Sequence, residues 1–150
     1  MGIDQSLTAT GIAIIDKDEN IIHTETIKTD KTQTDLRRCV LIVDRISDLC
    51  RGKDVTHVAF EGYAFNVRGN YSYRAGELGG ILKHKLWTLN LFFQQVAILS
   101  HKKSFTGNGH AKKEDMIAQA IKRYKRTFNE HEADAISLAY HLLGKIVLEE

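Results

Sequence analysis

Proline is absent from this chain of 150 residues, cysteine occurs only twice and tryptophan once, and no apolar run approaches the ~20 residues that cross a bilayer. The missing proline decides nothing by itself, but the other shortages do. Cys39 and Cys50 lie eleven apart in a segment that reads as helix, too far along one axis to bridge each other, so reduced thiols are expected rather than a disulfide scaffold. The start has no signal-peptide pattern, and internal repeats and low-complexity segments are lacking. These absences lead to the expectation of a soluble, cytoplasmic protein with no membrane association. At this length one domain over 1–150 is expected, burying roughly 70 % of its unfolded surface.

Net charge is also small, +2, yet it is unevenly spread. Residues 1–99 balance, with 12 basic and 12 acidic side chains. Residues 100–126 carry 8 basic against 2 acidic, and residues 127–150 carry 1 basic against 5 acidic. A basic stretch beside an acidic one invites a polyanion with cations; a solvated helix face is the plainer alternative.

The chain begins with β patterning: a short start, Met1 to Asp4, a Gly/Thr-rich turn, then Ile12 to Ile15 and Ile21 to Lys28, which together predict a three-stranded antiparallel meander. Thr34 or Asp35 can cap a helix whose Leu36, Cys39, Val40, Val43, Ile46 and Cys50 face the sheet while Arg37, Arg38, Asp44 and Asp48 face away. Val55 to Phe60 follows that helix and ends in Glu61, so a strand parallel to the first is the economical topology. Gly62 to Tyr73 lacks a consistent period and reads as a loop at the site edge. A helix through Leu78, Ile81, Leu82, Leu86 and Leu89 follows, its Gly76, Gly79 and Gly80 suggesting close packing. Phe92 to Leu99 reads as a strand, Met116 to Tyr124 as an amphipathic helix and Ala133 to Val147 as a buried final helix. The fold class is α/β: a mixed five-stranded sheet with helices on both faces.

Three acids stand out. Asp4 and Glu61 each end a strand, and Asp134 interrupts an apolar helix with no cation three or four residues away. A buried carboxylate is costly unless paired or bound to metal, although a place near the helix N-terminus would also ease it. His131, three residues before Asp134, shares its face, whereas Glu132 points about 100° away from each. Three carboxylates and an imidazole make an oxygen-rich site suited to Mg²⁺ or Mn²⁺; two such ions roughly 4 Å apart serve phosphodiester hydrolysis. The remaining histidines, His101 and His141 among them, read as surface or core residues.

Four blocks now carry a resemblance: Gly-Ile-Asp4-Gln-Ser-Leu-Thr-Ala-Thr-Gly, Val-Ala-Phe-Glu61, Lys102-Lys103-Ser-Phe-Thr-Gly-Asn-Gly-His-Ala-Lys-Lys113 and His131-Glu-Ala-Asp134-Ala. In this order, spanning nearly the whole chain, they resemble the RuvC-type Holliday junction resolvases of the RNase H-like superfamily, including phage-type members. The resemblance implies a homodimeric, metal-dependent endonuclease that nicks four-way DNA junctions symmetrically, with two Mg²⁺ or Mn²⁺ ions per site. It implies that Asp4, Glu61, His131 and Asp134 are metal ligands and that Lys113 acts in catalysis or only positions a phosphate. It assigns DNA contacts to Lys102, Lys103, Lys112, Lys113, Tyr63, Phe65, Arg68 and Arg74, with core packing an equal role for the two aromatics. An exposed face on the Arg74 to Leu91 helix is the expected dimer surface; a partner helicase stays unspecified.

Rival readings are an actin-like ATPase or sugar kinase, which needs a second domain, a junction-binding module without catalysis, and a nuclease of broader branched-DNA or hybrid specificity. Two features depart from the family pattern: only three residues precede Asp4, and His131 stands where a carboxylate is commoner. A neutral imidazole is the softer ligand, so cleavage is expected to run faster with Mn²⁺ than with Mg²⁺ and to decline as pH falls through the ordinary histidine range, ~6.5. Equal rates with both ions and no acid limb in the pH–rate profile would overturn that expectation.

Overall fold

The computed structural model describes residues 1–62 and 70–149. In chain order the elements are β1 (Gly2–Asp4), β2 (Ala9–Ile15), β3 (Ile21–Lys28), α1 (Asp35–Gly52), β4 (His57–Glu61), α2 (Asn70–Thr88), β5 (Phe92–Val96), α3 (Ile98–Thr106), α4 (Lys113–Tyr124) and α5 (Glu130–Glu149). The sheet runs β3-β2-β1-β4-β5, with β1 antiparallel to β2, β2 antiparallel to β3, and β1, β4 and β5 mutually parallel. The expected α/β class with a mixed five-stranded sheet is therefore present.

Side-chain alternation along the strands sorts large residues from small ones. On one face Ile3, Ile12, Ile14, Val58 and Phe60 pack with Cys39, Ile42, Val43 and Ile46 of α1 and Leu78, Leu82 and Leu86 of α2. The opposite face offers small residues to α5. Ala13 lies with Ala133, Ala135 and Ile136, and Ala59 with Leu138 and Leu142. Two strand glycines complete this shallow floor: a Cβ at Gly2 would fall 2.0 Å from the Ala135 carbonyl oxygen, and one at Gly11 2.0 Å from that of His131. Helix backbone thus rests directly on strand backbone, a contact that any side chain would block.

Several local expectations need correction. The run read as strand to Leu99 stops at Val96, and Ile98 opens α3, a helix whose buried side, His101 and Phe105, is too short to stand out as a period. The segment read as loop to Tyr73 is helical from Asn70, while 63–69 lie outside the described residues. Glu130, not Ala133, begins α5. Leu36 and Val40 of α1 are exposed, whereas Arg38 is buried: its guanidinium donates to the Thr29 hydroxyl (2.9 Å), the Leu7 carbonyl (3.1 Å) and the Asp35 carboxylate (3.2 Å). A satisfied guanidinium can replace an aliphatic residue under a loop. Among the described residues, a Cβ at Gly76 or Gly80 would meet nothing within 4 Å, so close packing with them does not explain these two glycines.

These glycine environments predict opposite outcomes in equilibrium urea unfolding. Gly11→Ala is expected to cost about 3 kcal/mol, because either the helix or the strand must shift. Gly80→Ala, on the open side of α2, is expected to add about 0.5–1 kcal/mol through helix propensity. A Gly11→Ala midpoint equal to wild type would show that α5 does not sit on β2.

Candidate active site

Parallel pairing of β1 with β4 brings two carboxylates to one end of the sheet. Ile3 is level with Phe60, so Asp4 and Glu61 follow side by side at the carboxyl ends of their strands. Because side chains alternate, Asp4 shares the face of Gly2 and Glu61 that of Ala59, and both therefore point toward α5. The turn after Asp4 is pinned from within: Gln5 Nε2 donates to the Glu61 carbonyl (3.2 Å), and the Thr10 hydroxyl donates to the Ser6 carbonyl (2.6 Å). Arg38, through Leu7, ties the same turn to α1.

Helix α5 starts at this point. Asn129 Oδ1 accepts from the Glu132 amide (3.0 Å) while Glu132 Oε2 accepts from the Asn129 amide (3.1 Å), a reciprocal cap that fixes the first turn and occupies Glu132. Gly11 then admits the His131 carbonyl against β2, and His131 Nδ1 lies 3.1 Å from Asp4 Oδ2. One turn on, Asp134 Oδ1 is buried with no hydrogen-bond partner among the described residues.

Burial is the main reason the Asp4 carboxyl is pushed up to about 6; the nearby charges of Asp134 and Glu61 push the same way, against the contact with His131. Asp134 is also raised, first by burial, with Lys102 and His101 opposing. The acids are close enough to act on one another, but among the described residues no three His, Cys, Asp or Glu side chains stand together at ligating separation. Oxygen donors, mutual repulsion and the orphaned Asp134 Oδ1 nevertheless suit a divalent cation, whose charge would offset the cost of ionising all three.

The basic residues divide by position. Lys102 Nζ donates to the Ala111 carbonyl (3.1 Å) and acts electrostatically on Asp134, so it belongs to the rim of the acidic cluster. Lys113, the first residue of α4, pairs with Glu130 on α5, which also lies 3.6 Å from His131 Nε2. Lys103 and Lys112 are exposed nearby in sequence. Arg74 pairs with Asp35 across α1 and α2 (2.8 Å). Tyr63, Phe65 and Arg68 lie outside the described residues. His141 contacts Ser104 (3.0 Å). His101, read from sequence as an ordinary surface or core residue, is fully buried with Nε2 3.4 Å from Glu61 Oε2. No spacing rule signals that contact, since it spans 40 positions and depends on α3 following β5.

Comparison with known proteins agrees with this architecture. Residues 1–141 match the model of the family described as crossover junction endodeoxyribonuclease RuvC. Over 149 residues the chain is 30% identical to the crossover junction endodeoxyribonuclease RuvC of Rickettsia prowazekii, covering 95% of each protein. It is 28% identical over 146 residues to that of Ehrlichia canis, covering 93% of this chain and 94% of the relative. Among solved structures, T. thermophilus RuvC in complex with a Holliday junction substrate superposes with a TM-score of 0.84 at 22% identity, over 99% of this chain and 94% of that one. A family match that extends through both strand-end acids and the His131–Asp134 turn leaves one conclusion: the chain belongs to the crossover junction endodeoxyribonuclease RuvC family.

Proposed function

We propose that this protein is a metal-dependent, structure-selective endonuclease that resolves four-way DNA junctions, using Asp4, Glu61, His131 and Asp134 to hold two Mg²⁺ or Mn²⁺ ions. Family membership supports the activity. The observation that supports the site is the meeting of Asp4 with His131 across 127 positions, in a part-buried cluster that also feels Glu61 and Asp134. Divalent ions bound there supply Lewis-acid charge and an acidified water for phosphodiester hydrolysis.

The chain's own groups set the conditions for that chemistry. Ionised Asp4, Glu61 and Asp134 would repel a phosphate, so cation binding must precede productive DNA binding. Lys113 is exposed at the first turn of α4 and already shares a carboxylate on α5; an incoming phosphate can compete for it and receive its charge. Lys102, held by a main-chain carbonyl, keeps positive charge beside Asp134. Lys103, Lys112 and Arg74, with Tyr63, Phe65 and Arg68, complete the proposed DNA surface. Paired nicks need two sites facing opposed strands, so the active form is a homodimer; Tyr73 and Trp87, exposed on α2, supply apolar surface for it. Among the described residues no helix is long and apolar enough to cross a membrane.

Cleavage of mobile and fixed four-way junctions, a Y fork and linear duplex tests the proposal. Wild type is expected to nick junctions in symmetric pairs with Mg²⁺ or Mn²⁺, and Asp4→Asn to lose on the order of 10²–10³-fold in rate while retaining junction binding in a gel shift. Undiminished cleavage by Asp4→Asn would overturn the site assignment, and equal cutting of the Y fork would make the enzyme a broader debranching nuclease.

Metal-free stability gives a second test. Folded Asp4 holds its proton up to about pH 6 against an ordinary 3.8, so between those values the folded state binds the extra proton and stability falls as pH rises. The full penalty above pH 6 is about 3 kcal/mol. Urea unfolding in EDTA should therefore show wild type losing about 2 kcal/mol of that stability between pH 4.5 and pH 7, a loss that Asp4→Asn reduces and saturating Mn²⁺ reverses. A slope shared equally by wild type and Asp4→Asn would assign the effect elsewhere.

A further inference from the structure

Beside the four proposed ligands, a buried imidazole faces Glu61. His101 of α3 and Ser137 of α5 are both fully buried, and the imidazole bridges two elements that the chain places far apart: Nδ1 lies 2.8 Å from the Ser137 hydroxyl oxygen and Nε2 3.4 Å from Glu61 Oε2. The Ser137 hydroxyl has two acceptors within reach, Nδ1 at 2.8 Å and the His101 carbonyl at 3.1 Å. That carbonyl already receives the Ser104 hydroxyl at 2.9 Å. The Glu61 contact decides between the two: a carboxylate oxygen needs a proton on Nε2, which leaves Nδ1 to accept from Ser137. The ring proton is then on Nε2, aimed at Glu61. The opposite tautomer would set the bare Nε2 lone pair against a carboxylate oxygen in a buried contact, leaving two acceptors without a proton between them.

We propose that His101 is a positioning residue of the active site: with Nδ1 accepting from Ser137, it donates from Nε2 to Glu61 Oε2 and so orients that carboxylate toward the metal. This rests on the reading that Glu61 holds metal. An N–H donor suits the task, since it fixes one oxygen and leaves the other for ligation. The arrangement mirrors the contact of His131 with Asp4, so that the two strand-end acids each have an imidazole beside them, one from α3 and one from α5.

Two measurements on the DNA-free protein test the inference. Long-range proton–nitrogen spectra of ¹⁵N-histidine-labelled wild type should assign the proton of His101 to Nε2, and Ser137→Ala should mix the tautomers; a wild-type proton on Nδ1 overturns the proposal. Mn²⁺ titration followed by electron paramagnetic resonance should show His101→Leu binding at least tenfold more weakly than wild type, with His101→Gln recovering much of the loss through its amide donor. Glu61→Gln serves as the reference. If Glu61→Gln weakens Mn²⁺ binding and His101→Leu does not, the positioning role is wrong while the site stands. If Glu61→Gln binds as wild type, the metal assignment of Glu61 fails and the inference fails with it. Should His101→Leu not fold, the wild-type tautomer still decides.

Discussion

The approach of α5 to the sheet is the constraint on which the remaining structure depends. Gly2 and Gly11 let the carbonyls of Ala135 and His131 sit where side chains would otherwise stand. Ala13 and Ala59 keep the rest of that face low, and Ala133, Ala135 and Ala139 keep the facing helix slim. Such backbone-on-backbone packing is rigid, because any sideways slip meets main-chain atoms rather than flexible side chains. A proposed site of two strand residues and two helix residues needs that rigidity. The contact of His131 with Asp4 would not survive a helix lifted by one methyl layer.

Electrostatics at this junction run against stability. Burial lifts the Asp4 and Asp134 carboxyls, and the neighbouring acids lift Asp4 further. The large-residue face of the sheet carries the compensating apolar burial, where Ile3, Ile12, Val58 and Phe60 meet α1 and α2 with no measurable exposure among them. Division of labour between the two faces follows from strand alternation alone: one face is filled with β-branched and aromatic bulk, and the other is pared down to admit a helix and its charged residues. Around the cluster Lys102 donates to the Ala111 carbonyl and Lys113 pairs with Glu130, while the buried Arg38 ties down the turn after Asp4 and the buried His101 lies beside Glu61.

Much of this was legible before any coordinates. β1 to β4 and α1 follow from alternation, helical spacing and the Thr34 cap, whose hydroxyl accepts from the Arg37 amide. The pairing of Asp4 with Glu61 follows from two parallel strands ending together. Other features left weaker traces. Nine residues of α3 show too little periodicity to be separated from the strand before them, and Arg38 looks like a solvent-facing charge until the carbonyl and hydroxyls it serves are known. Gly2 and Gly11, which admit α5, sit in strands, where a helix laid across them is invisible to local pattern.

The amino-acid sequence by itself determined the class of chemistry: strand-end acids, an acid on an apolar helix, a basic stretch and a set of motifs whose order identifies the family. These depend on residue type and local period, which the chain carries along its length. Tertiary structure alone decided that α5 touches β2 at Gly11, that His131 meets Asp4, and that His101 reaches Glu61. Each of those contacts joins positions dozens of residues apart. Their geometry is set by how closely two backbones can approach, which no single segment encodes.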